Sequence, residues 1–314
     1  FTSTGFSVFE NVKHLDQSLL LWRSTSQWFG GLYFLISILF LIDIYDESYK
    51  KILTNFISLD ITETIKQSTK ILFVYTFLTL LLFIVYKIIN IRNFDSFNLA
   101  LTVISSGGFL IVNNISEILQ SNFQIYIFSL SMLISFFGIL LPYNILFLKK
   151  KDLLVFTEDY YLLVYLFFLV AIFFIFFNQF NNFSITLFSL ISSISNIGFS
   201  LDDSVYNNFI FLILIIIGGS LVSTSSGLRF LKIFLLTKFS FNELVSHSKP
   251  KHVLLNKVLF SKVKIDINDI NKYFFSVIIF IMSLILLICL LTLFNIEFDD
   301  AFKISILTLM NTVN

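Results

Sequence analysis

The chain has 314 residues, of which 57% are hydrophobic and only 13% charged, with a mean hydropathy of +0.89 and a formal net charge of +1. This is far more apolar surface than one soluble core can bury, and the near-neutral charge excludes a nucleic acid held by a basic face. A single cysteine, Cys289, excludes an internal disulfide, a paired-thiol redox site and a cysteine metal cluster.

The chain opens on TSTGFS (2–7), a turn-forming run, and continues into an apolar span at about 18–43. The first residue is Phe, and no charged leader with a cleavage site follows, so the sequence reads as truncated at its start. A polar stretch over 44–69 leads to a span at 70–91. Next come the short amphipathic stretch DSFNLALTVI (95–104), the turn SSGGF (105–109) and a span at 123–148. After a basic segment at 149–158, the pattern recurs as a span at 159–178, NFSITLFSLISSIS (182–195), NIGFS (196–200) and a span starting near Tyr206. That span runs into GGSLVSTSSGLRFLK (218–232), whose glycines, serines and threonine predict a broken helix at mid-membrane. A basic stretch over 232–272 precedes the span 273–294, then DDAFKISILTLM (299–310) and the final NTVN (311–314).

Four copies of one unit account for this order: helix, half-helix, Ser/Thr/Asn/Gly turn, helix. The half-helices are too short to cross about 30 Å of hydrocarbon, and re-entrant backbone survives at that depth only where protein or water covers its polar groups. A water-filled pore follows. The expected fold class is an all-α membrane protein of four pseudo-repeated units around a central pore, truncated at both ends. The units fall at 1–69, 70–158, 159–240 and 272–314, with a cytoplasmic linker at 241–271.

If the glycine turns face outward, the segments 44–69, 149–158 and 232–272 lie inside and hold most of the 21 Lys and Arg residues. The outer side then carries nine acids, among them Asp95, Asp202 and Asp299, which would concentrate cations at the mouth. Most of the 42 phenylalanines sit in span interiors and are read as lipid-facing or packing residues. His247 and His252 lack a third ligand of clear spacing and are read as part of an exposed linker.

Selecting a dehydrated monovalent cation needs backbone carbonyls at fixed spacing, and glycine permits the required backbone. The turns around Gly5, Gly107 and Gly198 meet this need. No Walker A loop, GxGxxG or GxSxG motif is present, so catalysis and a bound cofactor are not expected.

The run LLLWRSTSQWFGG (19–31) resembles the start of the first inner helix in the membrane subunits of Trk-type potassium uptake systems, the TrkH, TrkG and KtrB superfamily. STGF (3–6), SSGGF (105–109) and NIGF (196–199) resemble that family's filter turns, GILLPYN (138–144) the end of its second inner helix, and 218–232 its GG–STSGG–K segment. The resemblance implies a potassium filter at Thr4, Gly5, Ser106, Gly107, Ile197, Gly198, Thr312 and Val313. The fourth turn departs from the family, which places Gly where this chain has Val313 or Asn314. It also implies an intramembrane gate at Gly218, Gly219, Ser223, Thr224, Ser225, Gly227 and Arg229, with Ser226 at a position where the family has Gly. Arg229 is either a gating charge or a base that snorkels to the interface, and Arg23 a structural clamp to a neighbouring half-helix or its carbonyls.

By the same resemblance the chain is a multi-pass protein of the bacterial inner membrane that forms a homodimer and lacks the first outer region and the last inner helix. Its partner is a cytosolic nucleotide-binding regulatory subunit of TrkA type. Two alternatives stay open. A sodium- or proton-coupled secondary transporter requires coupling carboxylates inside the spans, and none is evident; a non-conducting scaffold paralogue would follow from the altered fourth turn.

Overall fold

The structure is a computed structural model that describes residues 5, 7, 9, 11–45, 61–147, 157–176, 183–201, 209–248 and 267–312. Its helices in chain order are α1 (Gln17–Tyr45), α2 (Ile61–Ile88), α3 (Asn93–Ile104), α4 (Asn122–Phe137), α5 (Leu140–Phe147), α6 (Thr157–Phe176), α7 (Phe183–Ser195) and α8 (Phe209–Ile216). Two short parallel strands, β1 (Ile217–Gly218) and β2 (Leu228–Arg229), precede α9 (Phe230–Ser248), α10 (Ile267–Leu293) and α11 (Phe298–Leu309). In hydrocarbon every backbone N–H and C=O needs a partner within the protein, so long apolar runs become helices.

Among the described residues, three helices are long and apolar enough to cross a bilayer, over Ile65–Ile88, Glu158–Ile175 and Ile270–Leu293. The last two are the least covered by protein: Phe167, Phe168, Ile175, Met282 and Leu293 all stand more than half exposed. An apolar surface of this kind is stable against lipid and costly against water.

One packing rule repeats along the chain. The half-helix α3 sits against α2, which precedes it, and against α1 of the unit before; α11 sits in the same way against α10 and α8. The half-helix α7 packs on α4, again from the unit before. Each half-helix is therefore wedged against the inner helix of its predecessor, which arranges the units around a common axis. Aromatic side chains fill the seam between the second and third units. The rings of Tyr86 and Phe128 lie 5.3 Å apart, and Phe128 also meets Phe188 and Phe199 at 6.1 and 5.8 Å. The Tyr86 hydroxyl is satisfied there by Ser131 Oγ at 2.5 Å.

Two expectations change at this level. The span expected at 70–91 begins at Ile61, so the boundary drawn at 69 falls inside α2. The span expected at 123–148 is two helices, α4 and α5, bent by 82° at Gly138–Ile139. The break releases a carbonyl and an N–H that would otherwise bond within the helix. Both find partners in the loop after β1: Ser220 N donates to the Phe136 carbonyl at 2.9 Å, and Ile139 N donates to the Val222 carbonyl at 3.0 Å. Gly138 carries a φ of 82°, and a Cβ there would lie 2.7 Å from the Val222 carbonyl oxygen. That position needs glycine on both counts.

Candidate functional site

Each of the three half-helices ends in the same hydrogen-bonded turn. At α3, Ser106 N donates to Val103 O and Gly107 N to Thr102 O; at α7, Asn196 N donates to Ser193 O and Ile197 N to Ser192 O; at α11, Asn311 N donates to Thr308 O and Thr312 N to Leu307 O. This is the Schellman ending, which requires a left-handed residue just past the helix. Ser106, Asn196 and Asn311 supply it with φ of 49°, 56° and 53°. Asn tolerates this conformation better than most residues, and Ser106 adopts it without that preference.

The shared ending fixes how the turns correspond. Gly107 is equivalent to Ile197 and to Thr312, and Gly108 is equivalent to Gly198. The sequence pattern pairs Gly107 with Gly198, one residue out of step with this register. Backbone conformation agrees with the new register: Gly5, Gly108 and Gly198 have φ of 72°, 76° and 87°, and Gly107 is absent from that set. Gly107 instead turns its carbonyl to Gln27 of α1, whose Nε2 donates to it at 2.6 Å. Thr4 and Val313 lie outside the described residues, and Thr312 is buried.

The turns meet. A Cβ built on Gly108 would lie 2.5 Å from the Ile197 carbonyl oxygen and 3.5 Å from the Gly5 Cα. Residues separated by about a hundred positions in sequence thus bring their backbones into direct contact, with a carbonyl oxygen at the junction. The turns after α3 and α7 follow directly on the C-terminal ends of those helices, and the roughly half-unit negative partial charge at a helix C-terminus favours a cation there.

Against the ends of the half-helices lies the loop between β1 and β2. Parallel pairing of Ile217 with Leu228 and Gly218 with Arg229 closes it at its base. Its serines bond mainly within it: Gly219 N donates to Ser225 Oγ at 3.0 Å, and Ser223 Oγ donates to the Ser220 carbonyl at 2.7 Å. Two side chains at the tip reach outward. Thr224 Oγ1 donates to the Ile104 carbonyl at 2.9 Å and meets Ser106 Oγ at 3.3 Å, at the end of α3. Ser226 Oγ donates to the Met310 carbonyl, at the end of α11. Since two residues of chain span at most about 7 Å, the tip bridges the ends of the second and fourth half-helices across a narrow gap.

Arg229 turns its head into the loop. Its Nη1 donates to the Ser220 carbonyl at 3.2 Å, Ser223 Oγ at 2.9 Å and the Ser225 carbonyl at 2.8 Å, so it staples the loop from inside. Among the described residues, Arg23 clamps the segments that follow the first two turns: Nη2 donates to Ser7 Oγ at 3.0 Å, and the guanidinium lies 4.3 Å from the Phe109 ring centroid. Glu158 went unrecognised in the sequence. It sits in the first turn of α6, where Oε1 accepts from Leu221 N at 2.8 Å and Oε2 from Ser220 Oγ at 3.4 Å. The available signal was an acid at the edge of a span; its partner lies 63 residues away.

No family model matches the sequence. A curated protein described as an uncharacterized cation transporter, from Methanocaldococcus jannaschii, is 31% identical over 123 residues. That match covers 36% of this chain and 24% of the relative, so the chain spans about a quarter of its length. The crystal structure of the potassium transporter TrkH from Vibrio parahaemolyticus is similar with a TM-score of 0.82 over 99% of this chain and 67% of that chain, at 19% identity. The chain has the TrkH fold. The all-α class expected from the sequence is thereby established, and a chain of TrkH fold with three membrane-length helices is a multi-pass membrane protein.

Proposed function

We propose that this chain forms the conducting core of a potassium uptake system, in which a dehydrated cation passes the glycine turns and the loop at 217–229 closes the path below. The observation that carries this reading is the meeting of Gly108, Gly5 and the Ile197 carbonyl, together with a loop tethered to the ends of two half-helices. Backbone oxygens gathered in this way replace hydration water around a bare monovalent ion. The likeness to TrkH, a potassium transporter, and to a protein described as a cation transporter supports the same substrate class. A homodimer in the bacterial inner membrane and a cytosolic, nucleotide-binding regulator of TrkA type belong to the same proposal and rest on the sequence resemblance.

A second reading, coupled transport, draws on one residue: Glu158 is a carboxylate in contact with the loop at the edge of a span. Expression of the full-length protein in a bacterium deficient in potassium uptake tests both. Rescue of growth at low potassium supports conduction. Rescue abolished by a protonophore supports coupling, and no rescue despite membrane expression rejects transport.

A further inference from the structure

Among the described contacts that hold the loop at 217–229, two charged side chains take part, one from the loop's own base and one from outside it. Arg229 grips the Ser220, Ser223 and Ser225 oxygens from within the loop's own base. On the other side stands Glu158, on α6, an outer helix of the same unit. Its two carboxylate oxygens take the Leu221 N–H and the Ser220 hydroxyl, while the Ser220 carbonyl faces Arg229. Ser220 is thus pinned between an acid and a base. The Leu221 bond, at 2.8 Å, is of the charge-assisted kind that is stronger than a neutral one, above all where water is excluded, and the Ser220 contact at 3.4 Å is the weaker of the two. The bonds of Ser220 N to the Phe136 carbonyl in α4 and of Ile139 N, at the bend, to the Val222 carbonyl are neutral by comparison.

We infer that Glu158 is the latch of the loop: its two bonds hold residues 220–221 in the position that keeps the tip against the ends of the half-helices, and opening requires them to part. Glu158 acts here as a positioning residue, touching the loop and not the ion. The inference rests on the reading that the loop obstructs a cation path. It adds that an outer helix sets the obstruction, so a displacement of α6 at its N-terminal end would be felt by the loop directly.

The test is rubidium flux through the full-length protein in liposomes, measured for the wild type, E158A, E158Q and D159N, with sodium flux alongside. E158A is expected to raise basal rubidium flux roughly tenfold or more, the factor that corresponds to losing hydrogen bonds to a charged group. The rubidium-to-sodium preference stays unchanged, which a general loss of structure would not allow. E158Q gives a smaller rise, since its amide oxygen still accepts from Leu221 N. D159N removes a carboxylate from the same helical turn but neither hydrogen bond to the loop; since it also removes a like charge beside Glu158, its flux does not rise above the wild type.

Wild-type flux in both Glu158 variants, or an equal rise in D159N, would overturn the latch. Should E158A fail to insert, E158Q decides alone: a rise supports the latch and no change overturns it. Deleting 219–227 separates this from the reading beneath it. A leak in the deletion with silent Glu158 variants rejects the latch only, whereas no leak in the deletion rejects the gate itself.

Discussion

The Thr224 hydroxyl donates to the carbonyl of Ile104 at 2.9 Å, joining the tip of the loop to the last turn of a half-helix 120 residues earlier. The carbonyls at a helix C-terminus have no partner within the helix, so a hydroxyl arriving from elsewhere satisfies one of them. The contact ties loop position to the base of the second glycine turn.

Removing it should loosen the loop without changing the turns. T224V keeps the shape and loses the hydroxyl, at a cost of about 1 kcal/mol, which is roughly a fivefold shift in a closed-to-open balance. Rubidium flux through the full-length protein in liposomes is expected to rise by that factor, with ion preference intact. Because Ser106 Oγ also meets Thr224, S106A is expected to give a weaker effect in the same direction.

The two neighbouring glycines should respond differently. At Gly107 a Cβ would collide with the Gln27 side chain, whereas at Gly108 it would meet the Ile197 backbone, at a φ of 76°. A side chain can move aside and a backbone carbonyl at a turn cannot. G107A is therefore expected to impair rubidium transport and to recover part of it in the G107A/Q27A double variant. G108A adds about 1–2 kcal/mol of left-handed strain to the clash, and Q27A does not rescue it. Transport rates of the four variants form the cycle; rescue of G108A by Q27A would place the wrong glycine in the turn.

The seam between the second and third units has its own signature. Tyr86 and Ser131 form a buried hydrogen bond at 2.5 Å, and Ser131 in turn donates to the Phe128 carbonyl at 2.6 Å. Y86F leaves the Ser131 oxygen without its partner, which costs about 1 kcal/mol. A lowered melting temperature in detergent with unchanged ion preference is expected. Altered preference would mean that this seam shapes the turns as well as holding them.

What the residues disclosed in advance follows the range over which they act. The half-helices and the turns beyond them were legible because amphipathic stretches of ten to fourteen residues ending in Ser, Asn and Gly are local signals. The break after Ile216 was legible for the same reason, since Gly218, Gly219 and the serines disfavour helix wherever they stand. The break at Gly138 was not: Leu, Ile and Phe surround a single glycine, and the partners that stabilise the bend, Ser220 and Val222, come from another unit. The register of the second turn was also hidden. Two adjacent glycines are equal in sequence, and only Gln27, from 80 residues away, distinguishes them by taking the Gly107 carbonyl. Glu158 escaped notice because an acid at the edge of an apolar run reads as a solvated end.

Conduction by this chain requires a cation to meet the backbone where the glycine turns come together. Anomalous diffraction from crystals of the full-length protein grown in rubidium addresses this directly. A rubidium peak among the backbone oxygens around Gly5, Gly108, Ile197 and Gly198 is the expected result. Rubidium bound only elsewhere, with those oxygens facing no ion, would contradict it.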